Sequence, residues 1–340
     1  MLKLIDMSEN MTGSLWLSFM PLFIAFTVTA LVSPLLIPWL KKLKFGQEIL
    51  EIGPSWHKSK EGTPTMGGIS FILGITVAML LTFLVKRDLP LLMLLLISLG
   101  FGLIGFTDDY IKVVKKRNLG LTARQKFLLQ TILSVIYIVV LAKTGNLNNH
   151  IIIPFVRKTV EIPWILYLIL TVFVVTGTVN AVNLTDGIDG LATSITAIVT
   201  LFFAIAAVML SDIASMWFSL AVLGGCMAFY MFNKHPAKMF MGDTGSLFLG
   251  GSISVLAVGQ KMPLILVIVG FVYLFETLSV IIQVTSFKLT GKRVFKMTPI
   301  HHHFEMCGWK ENKIVSVFTA VTVILCIIGI FAILPYARCI

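Results

Sequence analysis

Charge is what this 340-residue chain has least of. Only 13% of its residues are Asp, Glu, Lys or Arg, and just 16 of these are acidic. Soluble domains carry roughly 25% charged residues, so a soluble globular enzyme is excluded. Cysteine is equally scarce, at four residues. Cys226 and Cys326 fall in apolar runs, Cys307 in a loop and Cys339 at the chain end, so they read as small fillers and free thiols. A disulfide-rich secreted module is excluded. Alternation of apolar and polar residues is missing, which argues against a β-barrel. There is no internal repeat and no linker long enough to mark a second folded domain, so residues 1–340 read as one membrane-embedded domain with spans from about 15 to 335. The first fourteen residues lack a cleavable-signal pattern, since Lys3 is followed by Asp6 and Glu9 rather than by a short apolar core.

What is present is apolar. Hydrophobic residues make up 57% of the chain, and the mean hydropathy is +0.95. A transmembrane helix needs roughly 20 apolar residues. Ten runs, uncharged but for one acid in the ninth, approach that length: Leu15–Leu40, Gly67–Val85, Leu89–Phe106, Phe127–Ala142, Ile162–Val179, Leu191–Leu210, Ile213–Phe232, Leu247–Gly259, Pro263–Phe287 and Ile314–Pro335. The fold class is therefore an all-α polytopic integral membrane protein with about ten transmembrane helices. The first run contains Pro21, Pro34 and Pro38 and is expected to kink or to start late.

The ten runs assign the loops alternately to two faces. Loops 41–66, 107–126, 180–190, 233–246 and 288–313 carry 19 of the 27 basic residues, which makes that face cytoplasmic and puts both termini outside. The net charge of +11 is then an orientation signal, with some attraction to anionic lipid headgroups. It does not indicate nucleic acid. Ten of the sixteen acids and five of the six histidines lie in the same loops. The single acid inside a run is Glu276.

Four loop segments concentrate groups that can carry chemistry, and a fifth supports them. Asp108 and Asp109 end the third run; they can hold Mg²⁺, accept a proton, or form a solvated helix end. Adjacent helical residues point about 100° apart, so the pair is not expected to face one ligand if the helix continues. Between the fifth and sixth runs, Asn180, Asn183, Asp186, Gly187, Asp189 and Gly190 crowd a short turn, more than a bare connection needs. Asp186 and Asp189 are spaced to share a face. Asp243 sits between glycines at the start of the eighth run, as a ligand for a hard cation or as a simple N-cap. His301, His302 and His303 match no zinc spacing; they suit phosphate contacts or proton donation, or are an incidental run. The basic, hydroxyl and glycine residues of 56–68 would suit phosphate oxygens. Carboxylates for a divalent cation beside basic and amide groups for phosphates make a phosphoryl-transfer inventory, placed where one substrate can be a lipid.

Together these segments resemble the polyprenyl-phosphate N-acetylhexosamine-1-phosphate transferase superfamily. The resemblance rests on GTPTMGG at 62–68, TDDYIK at 107–112, NAVNLTDGIDGLA at 180–192, FMGDTGSL at 240–247 and PIHHHFE at 299–305, in family order. GTPTMGG with PIHHHFE points to the muramoyl-pentapeptide branch. That branch implies transfer of phospho-N-acetylmuramoyl-pentapeptide from its UDP carrier to undecaprenyl phosphate, releasing UMP, with Mg²⁺ as cofactor. It also implies a bacterial cytoplasmic membrane, an active-site cleft on the cytoplasmic face and a homodimer.

By the same resemblance Asp243 would coordinate Mg²⁺, Asp108 and Asp109 would face the lipid phosphate, and Asp186 and Asp189 would line the nucleotide site. Asn183, Gly187, Ile188, Phe240 and Gln283 would hold the uridine, with Lys60 and Thr65 nearby. His301, His302 and His303 would lie near the sugar–diphosphate portion, and Lys112, Lys126 and Asn233 complete the expected substrate-binding set. Glu276 is either a packing residue or, as we place it, near the groove that admits the lipid. The alternatives are a UDP-GlcNAc transferase of the same superfamily, a membrane transporter and a cell-wall assembly scaffold.

Overall fold

A computed structural model of the chain describes residues 15–42, 62–114, 120–144, 149–156 and 158–337. In chain order these form α1 (Leu15–Lys42), α2 (Gly68–Lys86), α3 (Leu89–Val114), α4 (Ala123–Lys143), a hairpin of β1 (His150–Ile152) and β2 (Thr159–Glu161), α5 (Trp164–Thr185), α6 (Leu191–Met209) and α7 (Ile213–Asn233). There follow α8 (Gly242–Gly259), a 3₁₀ turn (Pro263–Ile265), α9 (Leu266–Val269), α10 (Phe271–Thr290), α11 (Ile300–Met306) and α12 (Glu311–Ala337). Nine of these helices, α1 to α7, α10 and α12, are long and apolar enough to cross a membrane. The chain is a polytopic helical membrane protein.

The eighth expected run became α8, which differs from the other nine. It packs against α2, α3, α5, α6 and α7, and every residue from Thr244 to Val258 is buried. A helix walled by protein rather than lipid needs no continuous apolar surface, so α8 can carry serines and glycines. Its serines turn inward: Ser252 Oγ donates to the Phe248 carbonyl at 2.8 Å, and Ser254 Oγ to that of Gly251 at 2.9 Å. The same device hides Ser98, Ser134, Thr185 and Thr200 elsewhere in the bundle. A buried hydroxyl without a partner is costly, and a carbonyl three or four residues back supplies one within the same helix.

Three of the boundaries that differ from the expected ones bear on the site. Helix α3 runs on to Val114 rather than ending at Phe106, so Asp108 and Asp109 are helical. Helix α5 extends to Thr185 and takes Asn180 and Asn183 with it. Helix α8 begins at Gly242, not Leu247, placing Asp243 in its first turn. Polar residues at helix ends hide the true ends from a reading of uncharged runs. The ninth run is broken: Pro263 opens a 3₁₀ turn, α9 is a single turn, and Gly270 interrupts before α10. In α1, Pro21, Pro34 and Pro38 all lie inside one helix. Transmembrane helices tolerate such prolines when neighbours satisfy the freed carbonyls.

Local signals fix other ends. Thr122 and Gln125 form a reciprocal capping box at the start of α4, and Asp212 caps α7 by accepting from Ser215 N at 3.1 Å. Helices are also tied crosswise: the Tyr137 hydroxyl of α4 donates to the Val255 carbonyl of α8 at 3.0 Å, and Thr196 of α6 meets Tyr273 of α10 at 2.8 Å.

Helices α3 and α8 approach tightly at Gly105, where an added Cβ would collide with the carbonyl of Asp243. Because the obstacle is backbone, no side chain can swing aside. Gly105→Ala should therefore destabilise the protein by roughly 1–3 kcal/mol, as overpacking does. Thermal unfolding of the purified protein in detergent checks this, and a melting temperature equal to wild type would refute it.

Candidate active site

Helix α8 starts without a capping side chain of its own. The first amides of any helix need acceptors, and here a residue of α3 supplies them. Asp109 accepts from Asp243 N at 3.2 Å, from Thr244 N at 2.8 Å and from Thr244 Oγ1 at 2.7 Å. Its carboxylate lies against the positive end of the helix dipole and is 4% exposed. Gly105, one turn earlier on α3, provides the space that brings the two helices this close.

The Asp243 side chain leaves this junction in the other direction. Its Oδ2 meets Lys126 Nζ at 2.6 Å and Lys112 Nζ at 2.9 Å, and its Oδ1 accepts from Asn183 Nδ2 at 2.8 Å. Asn183 also donates to Ser246 Oγ at 2.8 Å, which binds α5 to α8. Asp108 completes the group: its Oδ2 meets Lys112 Nζ at 2.6 Å and Lys126 Nζ at 3.2 Å, and its Oδ1 accepts from Leu121 N at 2.7 Å. One oxygen each from Asp108, Asp109 and Asp243 lies within 4.8 Å of the others. Adjacent helix positions were not expected to serve one ligand. The two carboxylates do take different partners, Asp109 under the amides of α8 and Asp108 on the lysines, and the end of α8 lies between them.

Three carboxylates against two ammonium groups give a buried cluster whose charge is close to balanced. Like charges at this separation repel strongly at low effective dielectric, and the lysines are what hold them together. An all-oxygen donor set of three carboxylates fits a hard divalent cation such as Mg²⁺. The lysines meanwhile suit phosphate oxygens.

The turn after α5 is anchored on its far side. Asp189 Oδ2 accepts from Ala237 N at 3.0 Å and meets His235 Nδ1 at 3.0 Å, while Asp189 N donates to Glu311 Oε2 at 3.3 Å. Asp189, His235 and Glu311 form a second group of possible ligand atoms. Asp189 thus faces the loop after α7, whereas Asp186 is half-buried at the C-cap of α5. Ile188 is buried and Gly187 exposed.

The three histidines lie on α11 and take different partners, with the ring centres of His301 and His302 4.1 Å apart. His301 is fully buried, with Nδ1 3.0 Å from Glu276 Oε2. His302 pairs with Glu305 at 2.5 Å, and His303 accepts from Lys296 N at 3.1 Å with its ring against Phe295. Glu276, placed near a lipid groove from sequence, is instead fully buried and turned to His301.

Other expected residues are distributed around this core. Thr65 lies beside Gly242, and Phe240 joins its segment by main-chain bonds, donating to Pro64 O at 2.9 Å and accepting from Gly67 N at 2.8 Å. Gln283 shapes the 294–295 loop, accepting from Val294 N and Phe295 N at 3.0 and 2.9 Å. Asn233 is buried and spans between Thr193 Oγ1 and the Met239 carbonyl, so it braces the loop that leads to α8. Lys60 lies outside the described residues. The sequence reading gave no role to Thr244, His235 or Glu311. Thr244 adjoins Asp243 in its motif, and the other two were visible only as titratable groups on the shared face.

Comparison with known proteins matches residues 91–261 to the model of glycosyl transferase family 4, and residues 60–72 to phospho-N-acetylmuramoyl-pentapeptide-transferase signature 1. A phospho-N-acetylmuramoyl-pentapeptide-transferase of Acetivibrio thermocellus is 52% identical over 316 residues, covering 91% of this chain and 93% of its own. Proteins of the same name from Bacillus cytotoxicus and Clostridium botulinum are each 50% identical, covering 91% and 92% of this chain and 95% of their own.

The role of Asp109 as the acceptor at the head of α8 is open to measurement. Thr244→Val removes one donor to it and should cost roughly 1.5–3 kcal/mol, the range for a hydrogen bond to a charged group. Asp109→Ala removes all three bonds and should cost more. Denaturation of both variants in detergent gives the ranking, and an Asp109 variant as stable as wild type would show that α8 does not rely on it.

Proposed function

The chain belongs to the phospho-N-acetylmuramoyl-pentapeptide-transferase family, within glycosyl transferase family 4, and on that footing we propose how its residues do the work of making lipid I for peptidoglycan. The reaction is transfer of phospho-N-acetylmuramoyl-pentapeptide from UDP to undecaprenyl phosphate, with release of UMP. The observation that carries this reading is the cluster of Asp108, Asp109 and Asp243 with Lys112 and Lys126 at the head of a buried helix.

A phosphate monoester has a second pKa near 6, so the acceptor is mostly dianionic at neutral pH. A general base then has little proton to remove. The obstacle is bringing two anions together, and positioning with charge neutralisation is the remedy. Lys112 and Lys126 supply fixed positive charge beside Asp243, and Asn183 orients that carboxylate from α5. Asp108, bound to Leu121 N and to both lysines, sets where the ammonium groups stand. Asp109 keeps the start of α8 in place. Asp243, with Asp108 and Asp109 beside it, would hold Mg²⁺, which when bound would neutralise phosphate charge in the transition state.

In the displacement an acceptor oxygen forms a bond to the β-phosphorus of the donor, and the bond from that phosphorus to the bridging oxygen breaks, leaving UMP. No covalent enzyme intermediate is needed. The asymmetric loading of Lys and Arg supports a site on the cytoplasmic face of a bacterial cytoplasmic membrane with both termini outside, and the family resemblance supports a homodimer.

The deciding experiment is UMP release in detergent or liposomes, with undecaprenyl phosphate and either UDP-N-acetylmuramoyl-pentapeptide or UDP-GlcNAc as donor. The expected result is activity with the muramoyl donor that disappears on chelation and returns with Mg²⁺. Preference for UDP-GlcNAc would move the chain to the sister branch, and substrate flux without UMP would indicate transport. Asp243→Ala should lower kcat by at least about 10²–10³-fold, the scale for losing a transition-state charge stabiliser. A single-turnover burst of UMP without acceptor would replace direct displacement with a two-step route.

A further inference from the structure

Buried carboxylates in transmembrane helices are expensive and are rarely left without a purpose. Glu276 is the only acid inside the expected spans, and its side chain is wholly removed from solvent. It lies on α10, well separated in sequence from α11, yet its Oε2 meets His301 Nδ1 at 3.0 Å and lies 3.5 Å from His301 N. Among the described residues these are the carboxylate's only polar contacts, and Oε1 has none. The imidazole therefore has one ring nitrogen fixed by a carboxylate. That bond selects the tautomer and the orientation, because the nitrogen facing an acceptor must carry the proton.

The other nitrogen shows what the orientation is for. His301 Nε2 is buried without a partner and lies directly against Gly187, where an added Cβ would overlap it. Gly187 belongs to the turn between α5 and α6 that also contains Asp186 and Asp189. An unpaired buried ring nitrogen costs free energy that the ring would recover by turning toward solvent. Glu276 prevents that turn.

We infer that Glu276 is a positioning residue for nucleotide binding: through Nδ1 it locks the His301 ring beneath Gly187, and the ring in turn sets the 186–190 turn that receives the uridine diphosphate end of the donor. The inference rests on the reading of that turn as the nucleotide site. Glu276 itself touches no substrate. The contact chain runs from a helix interior, through one imidazole, to the backbone of a turn that has no side chain in the way.

UDP binding, measured by calorimetry on the purified protein without acceptor, tests this apart from turnover. Glu276→Ala and His301→Ala should each weaken UDP binding on the order of tenfold, the scale of coupling between contacting groups. The double variant should be no weaker than His301→Ala alone, and Glu276→Gln, whose Oε1 can still accept from Nδ1, should lose less than Glu276→Ala. In turnover, the KM for the UDP-linked donor should rise while that for undecaprenyl phosphate stays constant. Losses that multiply in the double variant, or UDP binding by Glu276→Ala equal to wild type, overturn the inference. If Glu276→Ala does not fold, Glu276→Asp decides, since it keeps the charge but withdraws the carboxylate by one methylene; wild-type affinity there overturns the inference too. Wild-type protein that binds UDP but releases no UMP sinks the proposed reaction alone, and protein that does neither sinks both.

Discussion

Everything near the head of α8 follows from the difficulty of keeping three carboxylates together in an apolar bundle. Asp108, Asp109 and Asp243 are held within hydrogen-bonding range of one another's partners, and none can be relieved by water to any great extent. Each is stabilised by a different means: Asp109 by helix amides, Asp243 by two ammonium groups and an amide, Asp108 by a main-chain N–H and the same ammonium groups. Those partners come from α3, α4, α5 and α8 and from the segment before α4. The convergence of these elements is thus an electrostatic requirement as much as a packing one. Removing one partner would leave the remaining charges unbalanced, which makes the arrangement strict about geometry.

The membrane class, nine of the ten expected spans and the motif segments were legible in the sequence because each rests on local pattern. Apolar length, lysine placement and short polar clusters need no knowledge of tertiary contacts. What was not legible depends on pairs distant in the chain. Asp108 and Asp109 were expected to point apart, but spacing alone could not show that Asp109 meets the first amides of α8 while Asp108 meets Lys112 and Lys126. Asp189 and Asp186 are suited by spacing to one face, but spacing could not show that His235 and the Ala237 amide hold Asp189 at the loop after α7. Glu276 read as a lone acid in a span, and only its pairing with His301 gives it a purpose.

The ends of helices were the other blind spot, and for a definable reason. Uncharged length marks where a chain can lie in lipid, not where its hydrogen bonding stops. In α3, α5 and α8 the helical backbone continues past the apolar run by several residues, and these extra turns carry Asp108, Asp109, Asn180, Asn183 and Asp243. The site is built on the rigid ends of helices, where a side chain is positioned by the whole element behind it rather than by a pliant loop. The turn after α5 in turn meets the histidine helix α11, at Gly187 and His301.

The seclusion of α8 bears on how the protein is assembled in the first place. With glycines, serines and an aspartate at its head, this segment gains less from lipid than the other nine, and its stability comes from protein neighbours. All five helices that surround it, α2, α3, α5, α6 and α7, precede it in the chain. During synthesis from the N-terminus the socket is therefore already in the bilayer when the peg emerges. The order of the helices along the chain spares the least lipid-compatible one from ever waiting alone.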